Sequence, residues 1–252
     1  MIFVFPEVGH KQFKNNFLKV VVFQIQFNRI NNFKEKKAQI IESFKDLFPR
    51  IGSPQSGFEI SFTNTQTPIV QQVKSDENIE MKSLNGQKTL NISSSSIALN
   101  ITGKEYKSYD HLKQDLENIT NFLNICEVRE LNRIAIRKIN IVDFKYPDNN
   151  PYPVLISLLN ENLLGNLDYY PSNECLIQNI HTLVYKKGHY NFNIKYGFNI
   201  PPIQSLGQLI IDFDLFNVGK TPVVDMFNVL DSINLEIYAA FNWIITENLL
   251  TI

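Results

Sequence analysis

The stretch Glu130–Phe144, ELNRIAIRKINIVDF, decides how the rest of the chain is interpreted. Ile134 and Ile136 alternate with polar or small residues, which is the period of a strand with one apolar face. Further along the stretch the apolar pair becomes Ile139 and Ile141, so the alternation changes phase. A phase change of one residue indicates a bulge or a strong twist. The stretch therefore predicts a long strand with a local distortion.

Four charged side chains predict how this strand is linked to a later one. Arg133 and Arg137 are four residues apart, so an unbroken strand would show both on one face. Asp212 and Asp214, in the segment LIIDFDLF, also share a face. Like charges on otherwise apolar strands are costly to bury without partners. We therefore expect at least one Arg–Asp pair between the two segments, and without such a pair the arginines would be free to bind a ligand.

The composition limits the classes of function. The chain has 252 residues, of which 44% are hydrophobic and 19% are charged, and its formal net charge is −1. These values are those of an ordinary globular protein with an ample core. A dedicated nucleic-acid binder normally carries a basic domain or stripe, which this chain lacks, although a local basic patch stays open.

Cysteines, targeting segments and cofactor motifs are sparse. Cys126 and Cys175 are the only two cysteines, too few for a four-thiolate metal site, and we expect both to be buried thiols in a reducing cytoplasm. The first residues, MIFVFPEVGHKQF, do not form a signal peptide, and no apolar run approaches the roughly 20 residues that span a bilayer. No Walker, GxGxxG or GxSxG segment occurs, so we expect no cofactor and no membrane association.

The first half of the chain predicts the order β-α-β-β-β-β-α-β. These elements are Val20–Phe27, Phe33–Phe48, Phe58–Phe62, Ile79–Leu84, Lys88–Ile92, Ile97–Ile101, a helix capped by Ser108 that runs through Cys126, and Glu130–Phe144. Asn85 and Gly86 stand between the two hairpin strands and are the favoured pair for a type I′ turn.

The second half predicts the order α-β-β-β-α. These elements are Val154–Leu164, Cys175–Tyr185, Tyr190–Phe198, Leu209–Phe216 and a long helix that opens at Thr221-Pro222. The proline-rich segment Lys145–Pro153, KYPDNNPYP, separates the halves. We therefore predict an α+β fold with largely antiparallel sheets and long covering helices. Its two lobes would comprise residues 1–146 and 147–252 and pack as one unit.

Two further features have both a functional and a structural interpretation. Lys186, Lys187 and His189 form a basic hairpin tip beside tyrosines, and such tips hold single-stranded nucleic acid in some proteins but are more often simply solvated. Asp212 and Asp214 could hold Mg²⁺ through oxygen ligands, but a hydrolytic site needs at least a third carboxylate. We expect them to serve arginines or solvent instead.

Several loose motifs, in the same order along the chain, resemble a known family. These motifs are KVVVFQIQF, a helix ending in LFP, SSSIALNIT, YKSYDHL, RIAIRKINIVDF, LIIDFDLF and FNWIITENL. Together they resemble a sporadically distributed family of prokaryotic conserved hypothetical proteins of about this length. The family usually has a Gly-Leu-Arg-Tyr-x-Asn core in the arginine strand. Arg137 and Asn140 match it, whereas Lys138 replaces the aromatic residue.

The resemblance implies no activity, because the family carries no assigned chemistry. Its patchy distribution suggests a defence or mobile-element system with several genes. Since no catalytic constellation is visible in the residues, the leading hypothesis is a non-enzymatic protein-interaction module with a protein partner or a second copy. The alternatives are a nucleic-acid- or nucleotide-binding protein that uses Arg133, Arg137 and the Lys186–His189 tip, and a carboxylate metalloenzyme that uses Asp212 and Asp214.

Overall fold

The computed structural model describes most of the chain. The described ranges are 2–3, 5–6, 15–52, 57–61, 69–73, 78–146, 151–163, 176–200 and 206–250. The helices are α1 (Phe33–Phe44), α2 (Tyr109–Ile125), α3 (Tyr152–Leu158) and α4 (Met226–Ile244). The strands are β1 (Leu18–Phe27), β2 (Arg50–Ile51), β3 (Gly57–Ser61), β4 (Ile69–Val73), β5 (Ile79–Lys82), β6 (Lys88–Ile92), β7 (Ser96–Thr102), β8 (Glu130–Lys145), β9 (Gln178–Lys187), β10 (Tyr190–Asn199) and β11 (Leu206–Pro222).

The prediction of two lobes is wrong, because strands from both halves of the chain form one continuous sheet. Its nine strands are antiparallel and lie in the order β2-β5-β6-β7-β1-β8-β11-β10-β9. The two long strands β8 and β11 pair along almost their whole length at the centre, and so join the two halves. The sequence pattern of antiparallel strands followed by a helix does not show which strands become neighbours. β3 and β4 pair separately with each other.

The helices pack on one face of this sheet, called here the helix face. Apolar side chains on this face belong to one core with the helices, as the ring contacts Phe27–Phe122 at 6.2 Å and Phe213–Phe241 at 6.1 Å illustrate. Helix α4 also contacts the N-terminal segment, because the buried Glu236 carboxylate accepts the backbone N–H of Phe3. The segment also packs on the sheet beside the helix, because the Phe5 ring lies 5.9 Å from Phe192 of β10 and 5.3 Å from Trp243 of α4.

The predicted phase change within β8 is also wrong. Ile134, Ile136, Val142 and Phe144 are all buried on the helix face, so one parity holds along this part of the strand. The pairing with β1 does shift register between Ile139 and Asn140, but the extra residue is Lys19 of β1. The other shift skips Asn132 of β8. The apolar isoleucines after Lys138 had suggested a slip, but they lie on the face opposite the helices. Lys138 and Asn140 occupy the helix face instead.

Turn and helix ends differ in detail from the sequence interpretation. Ser108 caps α2 by accepting the His111 N–H, as predicted. Gly86 has a φ of +72°, but Asn85 does not have a positive φ, so the turn is not of type I′. Helix α1 ends at Phe44 rather than at Phe48, and α4 begins at Met226 after a short 3₁₀ turn. In the described residues no helix is long and apolar enough to span a membrane.

Candidate functional site

The face of the sheet opposite the helices, called here the arginine face, carries the predicted charge cluster. Arg137 of β8 donates two hydrogen bonds to Asp212 of β11, from Nε to Oδ1 at 2.9 Å and from Nη2 to Oδ2 at 2.7 Å. The side chains are only 22% and 11% exposed. This is the bidentate geometry in which an arginine holds a carboxylate most firmly. The predicted Arg–Asp link between the two segments is therefore confirmed.

A second, looser pair lies beside the first. Arg133 Nη2 is 3.7 Å from Asp214 Oδ1, the Arg133 guanidinium lies 4.3 Å from the centre of the Phe216 ring, and its Nη1 donates to Gln24 Oε1. Burial lowers the pKa of Arg133, although Asp214 partly offsets this effect. Burial likewise raises the pKa of Asp214 against the attraction of both arginines. These four charges sum to zero, and Lys195 of β10 is the cross-strand neighbour of Asp212 on the same face.

The weak metal candidates take part in this same cluster. Asp212 and Asp214 do share a face of β11, and the face they share is the one that carries the arginines. Within the described ranges, no group of three or more histidine, cysteine, aspartate or glutamate residues could hold a metal ion. Both Asp212 oxygens accept hydrogen bonds from Arg137, and Asp214 Oδ1 lies 3.7 Å from Arg133 Nη2.

The structure does not bring the hairpin tip together with the arginines. Gly188 and His189 form the turn, and Gly188 has a φ of +58°. Lys186 and Lys187 are successive residues of β9, so their side chains point to opposite faces of the sheet, Lys186 to the arginine face. The register places Lys186 three strands away from Ala135 of β8, a distance of roughly 14 Å. Lys186 therefore shares a face with the arginines but lies three strands from them.

Strand β9 forms one edge of the sheet, and no described strand pairs with its outer side. It is ten residues long, and its even-numbered residues are exposed on the arginine face. Two large apolar side chains of the strand are solvent-exposed, Ile180 at 37% and Val184 at 69%. Ile177, directly before the strand, is 67% exposed. A long, partly apolar open edge is a template for pairing with another strand.

Lys138 was not among the candidate residues, although it is the most unusual cation of the helix face. Its neighbours across the sheet are Val21 and Phe213, both fully buried. Its Nζ donates to Asn234 Oδ1 of α4 at 2.7 Å and lies 5.4 Å from the centre of the Tyr106 ring. Burial lowers the pKa of Lys138 to about 8. Within the described residues its contacts are with uncharged groups only.

The sequence did contain a signal for this site, which we interpreted as a bulge. Polar residues at 138 and 140 interrupt the run of apolar residues on the helix face of β8. Asn140 is 8% exposed and donates from Nδ2 to the Ile211 carbonyl at 3.3 Å, and both Asn140 and Lys138 border a cavity. A polar residue in a core position costs free energy unless something pairs with it, so such interruptions mark sites that deserve a functional test.

Comparisons with known proteins do not assign the chain to a family. No protein-family model matches the chain, and a search of curated proteins finds no match. The resemblance to the sporadically distributed prokaryotic family therefore stays a prediction.

Proposed function

We propose that the protein is a cytoplasmic, non-enzymatic interaction module that associates through the open edge of β9. The observation that carries this proposal is the combination of an unpaired ten-residue edge strand with exposed Ile180 and Val184. The opposite edge is different, since β2 contributes only Arg50 and Ile51. Short edge strands protect a sheet against pairing, whereas long ones invite it.

The partner that fits this edge is a second copy of the same strand. Antiparallel pairing of two β9 strands about Thr182 would place Ile180 of each copy opposite Val184 of the other. Apolar cross-strand pairs of this kind stabilise a sheet. The same register places Lys186 opposite Gln178, so no two like charges face each other. The pairing would continue the nine-stranded sheet through a two-fold axis, which is the commonest symmetry of homodimers.

The test is the mass of the full chain in solution, measured by sedimentation velocity over a range of concentrations. We expect a dimer for the wild type and a monomer for Val184→Lys, because two lysines would then lie beside the apolar pair. Val224→Lys is the matched control, since Val224 is also exposed, at 86%, but lies far along the chain from β9. It should leave the dimer intact.

Two results would contradict the proposal in different ways. A wild type that stays monomeric at about 100 μM, well above ordinary dimer affinities, would exclude self-pairing. Equal dissociation of the Val184→Lys and Val224→Lys dimers would show that the copies meet at another surface. Thr182→Pro provides a further check, because proline removes a backbone donor from the edge without adding charge.

Nucleic-acid binding, the alternative function, has less support. It depended on Arg133, Arg137 and the Lys186–His189 tip, and both arginines lie beside aspartates. We expect oligonucleotide binding weaker than micromolar at about 0.15 M salt, measured by fluorescence anisotropy. Tight binding under these conditions would reverse the order of the two functions.

A further inference from the structure

A cavity of about 410 Å³ lies between the helix face of the sheet and α4. Lys138, Asn140 and Phe213 contribute from the sheet, and Ile237 and Phe241 contribute from α4. The segments 15–18 and 106–107 complete the lining. This volume falls in the range of pockets that hold small organic molecules.

The lining is apolar with positive charge. The described lining residues include two lysines, Lys138 and Lys107, two tyrosines, three asparagines and five large apolar side chains, but no aspartate or glutamate. Other partly buried cations of the described residues have carboxylate partners, as Lys88 and Asp115 show at 2.7 Å. The cavity therefore has an electrostatic character that suits an anion with an apolar body.

Lys138 has no counter-ion among the described residues. Its side chain is partly buried beside the cavity, where the hydrogen bond to the neutral Asn234 side chain satisfies one of its three donors. Packing does not explain why a lysine occupies this position. Its cross-strand neighbours are the apolar Val21 and Phe213, so an apolar side chain would also fit between them. A buried charge without a partner costs free energy, and an anion bound in the cavity would offset that cost.

We propose that this cavity binds a small organic acid, with its carboxylate on Lys138 and its apolar body against Phe213 and Phe241. Lys107 is exposed, so Lys138 is the one partly buried lysine of the described lining, which suits a singly charged carboxylate. Phosphate sites generally need more donors, from arginine forks or several backbone N–H groups. The inference is independent of the proposed association through β9, which lies at the sheet edge.

The test uses isothermal titration calorimetry of the full chain with octanoate as the probe and octanamide as its neutral match. We expect octanoate to bind at least about tenfold more tightly than octanamide, the size of one charge-assisted hydrogen bond. Lys138→Met should remove this preference and leave octanamide binding unchanged. Lys220→Met is the control, because Lys220 is an exposed lysine that pairs with Glu130 outside the cavity.

A second measurement needs no variant. Acetylation of the wild type, followed by mass spectrometry, should show that octanoate protects Lys138 and leaves Lys220 reactive. Equal affinities for octanoate and octanamide, no octanoate binding at millimolar concentration, or an unprotected Lys138 would each overturn the proposal. If Lys138→Met fails to fold, the two-ligand comparison and the protection experiment on the wild type still decide it.

Discussion

The two faces of β8 treat neighbouring cations in opposite ways. Arg137 lies on the arginine face, where Asp212 binds it through two hydrogen bonds. Lys138, the next residue, lies on the helix face, where its hydrogen-bond partner is the neutral Asn234. Both cations are partly buried, but among the described residues only the arginine has a counter-ion. Arg137 therefore links two strands, whereas the charge of Lys138 is available to a ligand.

The largest expected effect comes from breaking the arginine pair. Arg137→Ala should lower the free energy of unfolding by about 3–5 kcal/mol, because it leaves Asp212 buried without a partner. Urea denaturation followed by circular dichroism measures this loss. The double variant Arg137→Met, Asp212→Leu should cost much less, since it removes both charges together. If the single and double variants lose the same stability, the pair does not have the role assigned to it.

Removal of the Lys138 cation should raise the stability of the protein, whereas removal of Arg137 should lower it. Because folding lowers the pKa of Lys138 to about 8, the unfolded chain keeps this proton to higher pH than the folded chain. Stability should therefore rise between about pH 8 and pH 10.5. Lys138→Met should abolish that rise and stabilise the protein at pH 7 by about 1–3 kcal/mol.

Thermal melts of both proteins across this pH range measure the Lys138 effect. The other titratable groups that line the cavity are Tyr106, Lys107 and Tyr238, and Tyr106 titrates higher because burial raises its pKa to about 12. An unchanged pH profile in Lys138→Met would assign the rise to another group.

The looser pair of the arginine face should matter less than the bidentate one. The Arg133–Asp214 distance is 3.7 Å, and burial already raises the pKa of Asp214. Asp214→Asn should therefore change stability by about 1 kcal/mol or less, whereas Asp212→Asn should cost more. The ratio of the two losses in urea denaturation ranks the pairs, and a larger loss for Asp214→Asn would reverse the ranking.

The smallest expected effect concerns divalent cations. Because Asp212 and Asp214 already serve the arginines, Mg²⁺ should not raise the melting temperature beyond its general salt effect. Asp212→Asn, with and without Mg²⁺, is the control for this measurement. A rise that depends on Asp212 would indicate a metal site and would return the carboxylate metalloenzyme to consideration.

The sequence predicted local elements better than their arrangement. Apolar spacing located the two long helices near Ser108 and Thr221, and the strong alternation of 20–27 located β1, because these patterns depend on nearby residues. The pairing of β8 with β11 depends on residues some 75 positions apart, as in the Arg137–Asp212 bond. Chain order and the prolines of 145–153 suggested a division there, but the sheet continues across the two halves.

The sequence predicted the Arg–Asp link but not Lys138, and the difference has a physical reason. The Arg–Asp pairing was predictable because each segment carries like charges on one face, and these charges can neutralise each other once the strands are neighbours. Lys138 was missed because Ile139 and Ile141 are apolar, and we assigned them to the core. The structure shows that apolar residues can occupy the opposite face while polar residues border a cavity.

The titration of the Lys138 ammonium group tests the contrast between the two faces most directly. Nuclear magnetic resonance of the protein labelled with ¹³C at the lysine ε-carbons, assigned with Lys138→Met, follows this single group. We predict a midpoint near pH 8 in the free protein. Octanoate should move it upward, because a bound carboxylate favours the charged amine. A midpoint at the ordinary lysine value of about 10.4, unmoved by octanoate, would contradict the account.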